Sequence, residues 1–315
     1  MSELTAIGVL LGIIHQGIRL ATPYLYAAIG ETISQRAGVF NLGVEGIMLM
    51  GAFSGFYAVF ETGNLLLGVL AAAVVGLLMG LLMSVVSITF HAEQGISGIG
   101  LYMFGLGASS LLFKTMLGTI EPVRGFPALR FCLSDDFCLA NIPVIGDIFF
   151  GYTALTYGAY LLVPIVWWVL NRTTWGLKIR AVGHNPEAAD SLGVSVTAVR
   201  YASVMIGSML AGVAGASLSI GLLNVFQEEM TNGIGFIAVA LVYFGSWKPV
   251  GVLGGALLFA GVSALQLWVQ VINLEIPSDL AVMLPYLLTI IALALPFRRS
   301  LQPGALGKPF SRGEG

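Results

Sequence analysis

Few residues of this chain combine the type and the spacing that covalent chemistry requires. Gly95-Ile96-Ser97-Gly98 sets a serine among small residues in an apolar run, a setting for a nucleophile inside a membrane. Such a serine needs a base, yet His15 and His91 precede the motif and His184 falls in a polar stretch. The segment 304–309, GALGKP, is the nearest approach to a phosphate-binding loop. It lacks both the spacing and the hydroxyl of GxxxxGK followed by Ser or Thr. No HExxH occurs, and no Cys/His set has zinc spacing. The sequence therefore offers no catalytic residues, no metal site and no cofactor of its own, and its chemistry is to be sought in binding and movement.

The residues that stand out are polar ones in apolar surroundings. Glu45 lies near the start of an apolar run, where a carboxylate either contacts a solute or caps its own helix; the second role is the stronger expectation. Asn41 is placed to line a path or cap the same helix, and Glu31 to pair with Arg36. Cys132 and Cys138 share a polar stretch whose five intervening residues allow a small disulfide loop if it faces an oxidising compartment. The alternative is two free thiols packed against helix ends.

The elements that position these residues are membrane helices. Hydrophobic residues make up 57% of the chain and charged residues 10%, with a mean hydropathy of +0.92. Soluble domains carry about 25% charged residues. A net charge of −2 without a basic run gives no footing for nucleic acid, and the N-terminal stretch has no basic region or cleavage site of a signal peptide. A span needs about 20 apolar residues. The candidates are 5–34, 43–61, 66–90, 95–117, 151–170, 200–222, 234–247, 251–271 and 280–297. The expectation is an all-α, polytopic membrane protein of about nine spanning or partly spanning helices. A membrane domain would cover 1–297 and a polar tail 298–315. Lys and Arg concentrate in 171–200, at Lys248 and after 297, which puts those segments in the cytoplasm, the N-terminus outside and the C-terminus inside. The first run is ambiguous: His15, Arg19 and Pro23 allow its outer third to lie on the membrane surface.

Two stretches interrupt the pattern in corresponding places of the two halves. Residues 35–46 carry three glycines, and residues 224–250 hold an apolar segment too short to span. Matched irregularities of this kind point to a substrate path, with Phe40, Asn41, Glu45 and Asn232 as candidate lining residues; the alternative is two cytoplasmic turns whose glycines pack helices. The longest polar interruption, 171–200, contains a helix with marked ends. Asn185 suits the N-cap, Pro186 the first helical position and Gly193 the left-handed C-terminal position. Ala188, Ala189 and Leu192 form a small apolar face suited either to a groove on a soluble partner or to packing on its own loop.

Three stretches carry a family resemblance: SQRAGVFNLGVEGIMLMGAFSG (34–55), WGLKIRAVGHNPEAADSLGVSVTAVRYASVMIGSMLAGVAGA (175–216) and GFIAVALVYFGSWKPVGVLGGALLFAG (235–261). They resemble the permease subunits of bacterial ABC importers for nucleosides and simple sugars. These belong to the broader family of ribose-type and branched-chain amino-acid permeases. RAGVFNLGVEG favours the nucleoside group. The resemblance implies a multi-pass protein of the bacterial inner membrane that performs no covalent chemistry. It implies four partners: a cytoplasmic ABC ATPase that uses the ATP, a second homologous and non-identical permease subunit, an extracytoplasmic substrate-binding protein, and membrane lipid. It also makes 171–200 the coupling loop, with Asn185, Pro186, Ala188, Ala189, Leu192 and Gly193 meeting the ATPase. A sugar or branched-chain amino acid is the alternative cargo. A stand-alone secondary transporter or channel is the alternative class.

Overall fold

Lipid offers a backbone no hydrogen-bond partner, so apolar runs of this length satisfy themselves as helices. The computed structural model describes residues 6–129, 132–134, 137–138, 150–271 and 302–311, with the isolated helical positions Met283, Leu287, Ile290 and Ile291. Its helices are α1 (Ala6–Arg36), α2 (Val44–Thr62), α3 (Leu65–Ser84), α4 (Gln94–Met116) and α5 (Ala154–Arg172). There follow α6 (Thr174–His184), α7 (Pro186–Ser191), α8 (Val196–Ala216), α9 (Ile234–Phe244) and α10 (Pro249–Val271). Helices α3 and α8 run on into π-helical turns, Val85–Thr89 and Ser217–Leu222. Six of these elements are long and apolar enough to cross a membrane: α2, α3, α4, α5, α8 and α10. The expected span at 280–297 lies outside the described residues apart from the four isolated positions.

Helix α8 is the hub, packed against α1, α2 and α3. It gets that close through small residues: a Cβ on Gly212 would lie 2.2 Å from the Ala72 carbonyl oxygen of α3, and one on Gly207 2.6 Å from that of Gly30 in α1. Close backbone approach is the usual source of helix association in lipid, where no hydrophobic force acts between helices. Helix α1 is one continuous helix through Pro23 and shows no break at Leu20. The segment after α4 is laid over the end of α8, with Val123 N–H donating to the Asn224 carbonyl at 2.9 Å. There Lys114 pairs with Glu228 at 3.2 Å. The backbone at Cys132–Ser134 and Phe137–Cys138 forms a two-stranded antiparallel ladder with Cys132 opposite Cys138.

The stretch 171–200 departs from expectation in one respect. It holds two helices, because α6 precedes the capped helix α7. Thr173 starts α6 by accepting from Gly176 N–H at 3.1 Å, and Ile179 and Val182 are buried beneath it. The spacing Trp175, Ile179, Val182 is a helical face that the surrounding polar and basic residues obscure.

Candidate functional site

Helix α9 has 11 residues, about 16 Å at 1.5 Å each, roughly half of a ~30 Å hydrocarbon core. Both its ends are fastened by side chains from the first interrupted stretch. At its N-terminus the Glu45 carboxylate, in the first turn of α2 and only 3% exposed, takes three donors. One oxygen accepts from Thr231 Oγ1 at 2.6 Å and Gly233 N–H at 2.7 Å, the other from Gly235 N–H at 2.5 Å. Glu45 therefore caps a helix, though not its own. The approach leaves no room for a side chain: a Cβ on Gly235 would lie 2.6 Å from the Glu45 Cα.

At the C-terminus of α9, Trp247 donates its indole N–H to Gln35 Oε1 at 2.7 Å. The Trp247 carbonyl accepts from Arg36 Nε at 2.8 Å. Glu31 does not pair with Arg36; it accepts from Gln35 Nε2 at 3.0 Å and from Asn41 N–H at 3.1 Å. Buried carboxylate and amide groups thus satisfy one another along the C-terminal ends of α1 and α9.

Beside the N-terminus of α9 is a cavity of ≈ 150 Å³ lined by Glu45, Leu49, Tyr102, Leu106, Glu229, Thr231, Asn232, Gly233 and Phe236. Tyr102 lies eight residues into the 23-residue α4, about 12 Å from one end and 21 Å from the other, so the cavity sits at mid-depth in the bundle. Tyr102 and Phe236 meet edge to face with ring centroids 5.2 Å apart. The chain reaches the cavity through left-handed backbone at three non-glycine residues, Asn224, Glu229 and Asn232, with φ of 59°, 58° and 42°. Conformations that L-residues rarely adopt are concentrated where function needs a particular aim of side chains.

Of the expected path residues, Glu45 and Asn232 line this cavity, and Phe40 and Asn41 do not. Phe40 packs on Tyr243 of α9, and its N–H donates to Gln94 Oε1 at 2.7 Å. Asn41 is 1% exposed and accepts from Gly43 N–H at 2.9 Å, which shapes the turn into α2. Tyr102 and Phe236 are not singled out by the sequence, and Glu229 reads there as part of a solvated face. Tyr102 and Phe236 belong to apolar helices whose facing cannot be read from one chain. Among the described residues no group of three or more His, Cys, Asp or Glu is placed to hold a metal ion.

The second candidate surface is formed by α7 and its neighbours. Asn185 Oδ1 accepts from Ala188 N–H at 2.9 Å, Pro186 begins α7, and Gly193 adopts φ +80° just beyond it. The expected docking face is split. Ala188 is exposed and Leu192 is 84% exposed, whereas Ala189 is 3% exposed and packs into the chain's own core. Next to α7 is a hollow of ≈ 560 Å³, bordered by Asp190, Gly193, Thr197, Thr89, His91 and Phe310, among others. Residues 302–311 are not a loose tail. Ala305 N–H donates to the Gly183 carbonyl at 2.9 Å and Gly307 N–H to that of Gly38 at 3.1 Å. Arg200 Nη1 donates to the Lys308 carbonyl at 3.0 Å.

The family model described as branched-chain amino acid transport system / permease component matches residues 13–293. A putative glucose ABC transporter permease protein of Haloferax volcanii is 41% identical over 268 residues, 85% of this chain and 80% of that protein. A guanosine ABC transporter permease protein of Bacillus subtilis is 36% identical over 305 residues, 93% of this chain and 94% of its own length. A nucleoside ABC transporter permease protein of Lactococcus lactis is 36% identical over 298 residues, covering 91% and 92%. No solved structure matches the chain.

Proposed function

The chain belongs to the family of permease components of branched-chain amino acid transport systems, and from that premise we propose that it carries a nucleoside across the membrane as one of two permease subunits of an ABC importer. The observation that supports this cargo best is the mid-depth cavity. An aromatic pair, Tyr102 and Phe236, offers a face to a planar base, while Glu45, Glu229, Thr231 and Asn232 offer hydrogen-bond acceptors to sugar hydroxyls. At ≈ 150 Å³ the cavity is smaller than the roughly 300–1,000 Å³ of ligand pockets. Passage therefore needs α4 and α9 to separate.

The drive for that movement enters at α7. A cytoplasmic ATPase, which binds and hydrolyses the ATP, docks on the exposed Leu192 and Ala188 and on the hollow beside them. Four residues separate α7 from α8, the hub helix, so displacement of α7 is passed to α1, α2 and α3. In this reading the bundle has nine membrane segments with the N-terminus outside, and Cys132 and Cys138 form a disulfide on the outer face. An extracytoplasmic binding protein delivers the solute to this subunit and to a second, homologous permease. A simple sugar is the second reading, favoured by the similarity to the putative glucose permease of Haloferax volcanii.

The test is uptake by cells lacking this gene and complemented with it, using radiolabelled uridine, guanosine, glucose, ribose and leucine. Nucleoside uptake that depends on the gene, at least tenfold above the deletion strain, is the expected result. Gene-dependent uptake of a sugar alone would replace the cargo. Gene-dependent uptake that persists without any ATPase would remove the ABC assignment.

A further inference from the structure

The N-terminus of α9 is an anion site with its anion already in it. A helix start exposes unpaired N–H groups and the positive end of the helix dipole. Transporters with interrupted helices aim such ends at negatively charged groups of their substrates. Here three donors at that end, the N–H groups of Gly233 and Gly235 and the Thr231 hydroxyl, are consumed by the Glu45 carboxylate. The remaining polar lining reinforces the sign. Glu229 also faces the cavity, and no Lys or Arg is among the residues that line it.

We propose that Glu45 is a built-in anion that makes the path refuse solutes carrying a negative charge of their own. This rests on the reading of the cavity as the solute path. A phosphate or free carboxylate entering the cavity would meet two carboxylates, find these α9 donors already taken, and have only the neutral Asn232 amide and Tyr102 hydroxyl left to donate to it. A neutral solute rich in hydroxyl donors meets acceptors instead. The site thereby takes nucleosides and excludes nucleoside phosphates. It also disfavours the carboxylate end of branched-chain amino acids.

The experiment empties the anion site and asks whether an external anion refills it. The probe is sodium formate, compared with sodium chloride at equal ionic strength. The full-length permease, purified in detergent with its partner subunits, is melted as wild type and as Glu45→Ala. The variant should melt several degrees lower, formate should restore most of the loss and chloride none, and the wild type should ignore both. Uridine uptake by the reconstituted importer should fall at least tenfold in Glu45→Ala and recover severalfold with formate.

Equal responses to formate and chloride, or a variant that melts like the wild type, would overturn the proposal. Should Glu45→Ala not survive purification, Glu45→Gln keeps the shape without the charge. It should melt below the wild type, and equal melting would show that the negative charge is not used. The melts do not depend on the cargo. Absent uridine uptake by the wild type would sink the nucleoside reading alone, and failed melts with normal uptake would sink only the built-in anion.

Discussion

Helices α7 and α9 are both too short to cross a membrane, and both begin at a capped N-terminus, but the caps come from different distances. Asn185 caps α7 from the adjacent position, as a neutral amide on an exposed surface. Glu45 caps α9 from more than 180 residues away, as a buried charge. A local cap makes a unit that keeps its shape when the surroundings move, which suits a part pushed by another protein. A distant cap ties the helix to a second element, so α9 cannot move without breaking or carrying its bond to α2. On the proposed function, the same device serves a handle in one place and a latch in the other.

The largest effect expected from this contrast comes from a valine at Gly235, in the first turn of α9, set against one at Gly193, just beyond α7. Gly235 is required by contact, since its Cβ would lie 2.6 Å from the Glu45 backbone. Gly193 is required by conformation: its φ is +80° and nothing lies within 4 Å of where a Cβ would be. Overpacking costs about 1–3 kcal/mol. Loss of a hydrogen bond to a charged group adds about 1.5–3 kcal/mol. Gly235→Val should therefore destabilise the bundle by roughly 3–5 kcal/mol, read as a lowered melting temperature and poor recovery in detergent. Gly193→Val should cost only about 1–2 kcal/mol, the strain of a left-handed residue with a side chain. Equal losses would mean that the α9 latch contributes nothing special.

The difference in distance also governs what the sequence can reveal. The caps of α7 lie within nine consecutive residues, so Asn185, Pro186 and Gly193 declare themselves. Nothing in the spacing of Glu45, Thr231, Gly233 and Gly235 connects them, and a helix-initial glutamate reads as the cap of its own helix. The two interrupted stretches are legible as a pair, because their glycines and short apolar run break the pattern. Their physical union is not legible, so the sequence groups Phe40 and Asn41 with Glu45 and Asn232, whereas only the latter two line the cavity. Helix α6 is missed for another reason. Its buried face is narrow, Trp175, Ile179 and Val182, and basic residues surround it. The split of the α7 face is similar: Ala188 and Ala189 look alike in sequence, and only packing makes one exposed and the other buried.

That split sharpens the handle side of the comparison. Leu192→Asp changes a side chain that is 84% exposed, so the bundle should melt within about 0.5 kcal/mol of the wild type. A lost apolar anchor at the centre of an interface costs about 2 kcal/mol or more, so binding of the ATPase should fall by at least about tenfold. Ala189→Glu should behave differently, forcing a charge into the chain's own core and lowering bundle stability and ATPase binding together. Co-purification of the ATPase, measured beside a melting curve, separates the two variants. Normal ATPase recovery with Leu192→Asp would remove α7 from the docking surface.

The smallest effect concerns the local cap itself. Asn185→Ala leaves Ala188 N–H without its 2.9 Å acceptor, and loss of an N-cap costs about 1 kcal/mol. The helix has six residues, and so short a segment has little internal reserve. The cost should therefore appear as local fraying of α7. Global melting should scarcely change, because Ala189 is the one residue of α7 that is buried. Hydrogen exchange at Ala188 and Ala189 should speed up by roughly fivefold, the factor that 1 kcal/mol sets in an opening equilibrium. ATP hydrolysis should then continue while solute uptake per ATP declines, since a frayed handle still binds but passes on less of its displacement. Asn185→Asp supplies the same acceptor with a charge that favours the helix start, and should restore both exchange and uptake. If Asn185→Ala lowered global melting as far as Gly235→Val does, α7 would be a latch too. The distinction between a locally capped handle and a distantly capped latch would then not hold.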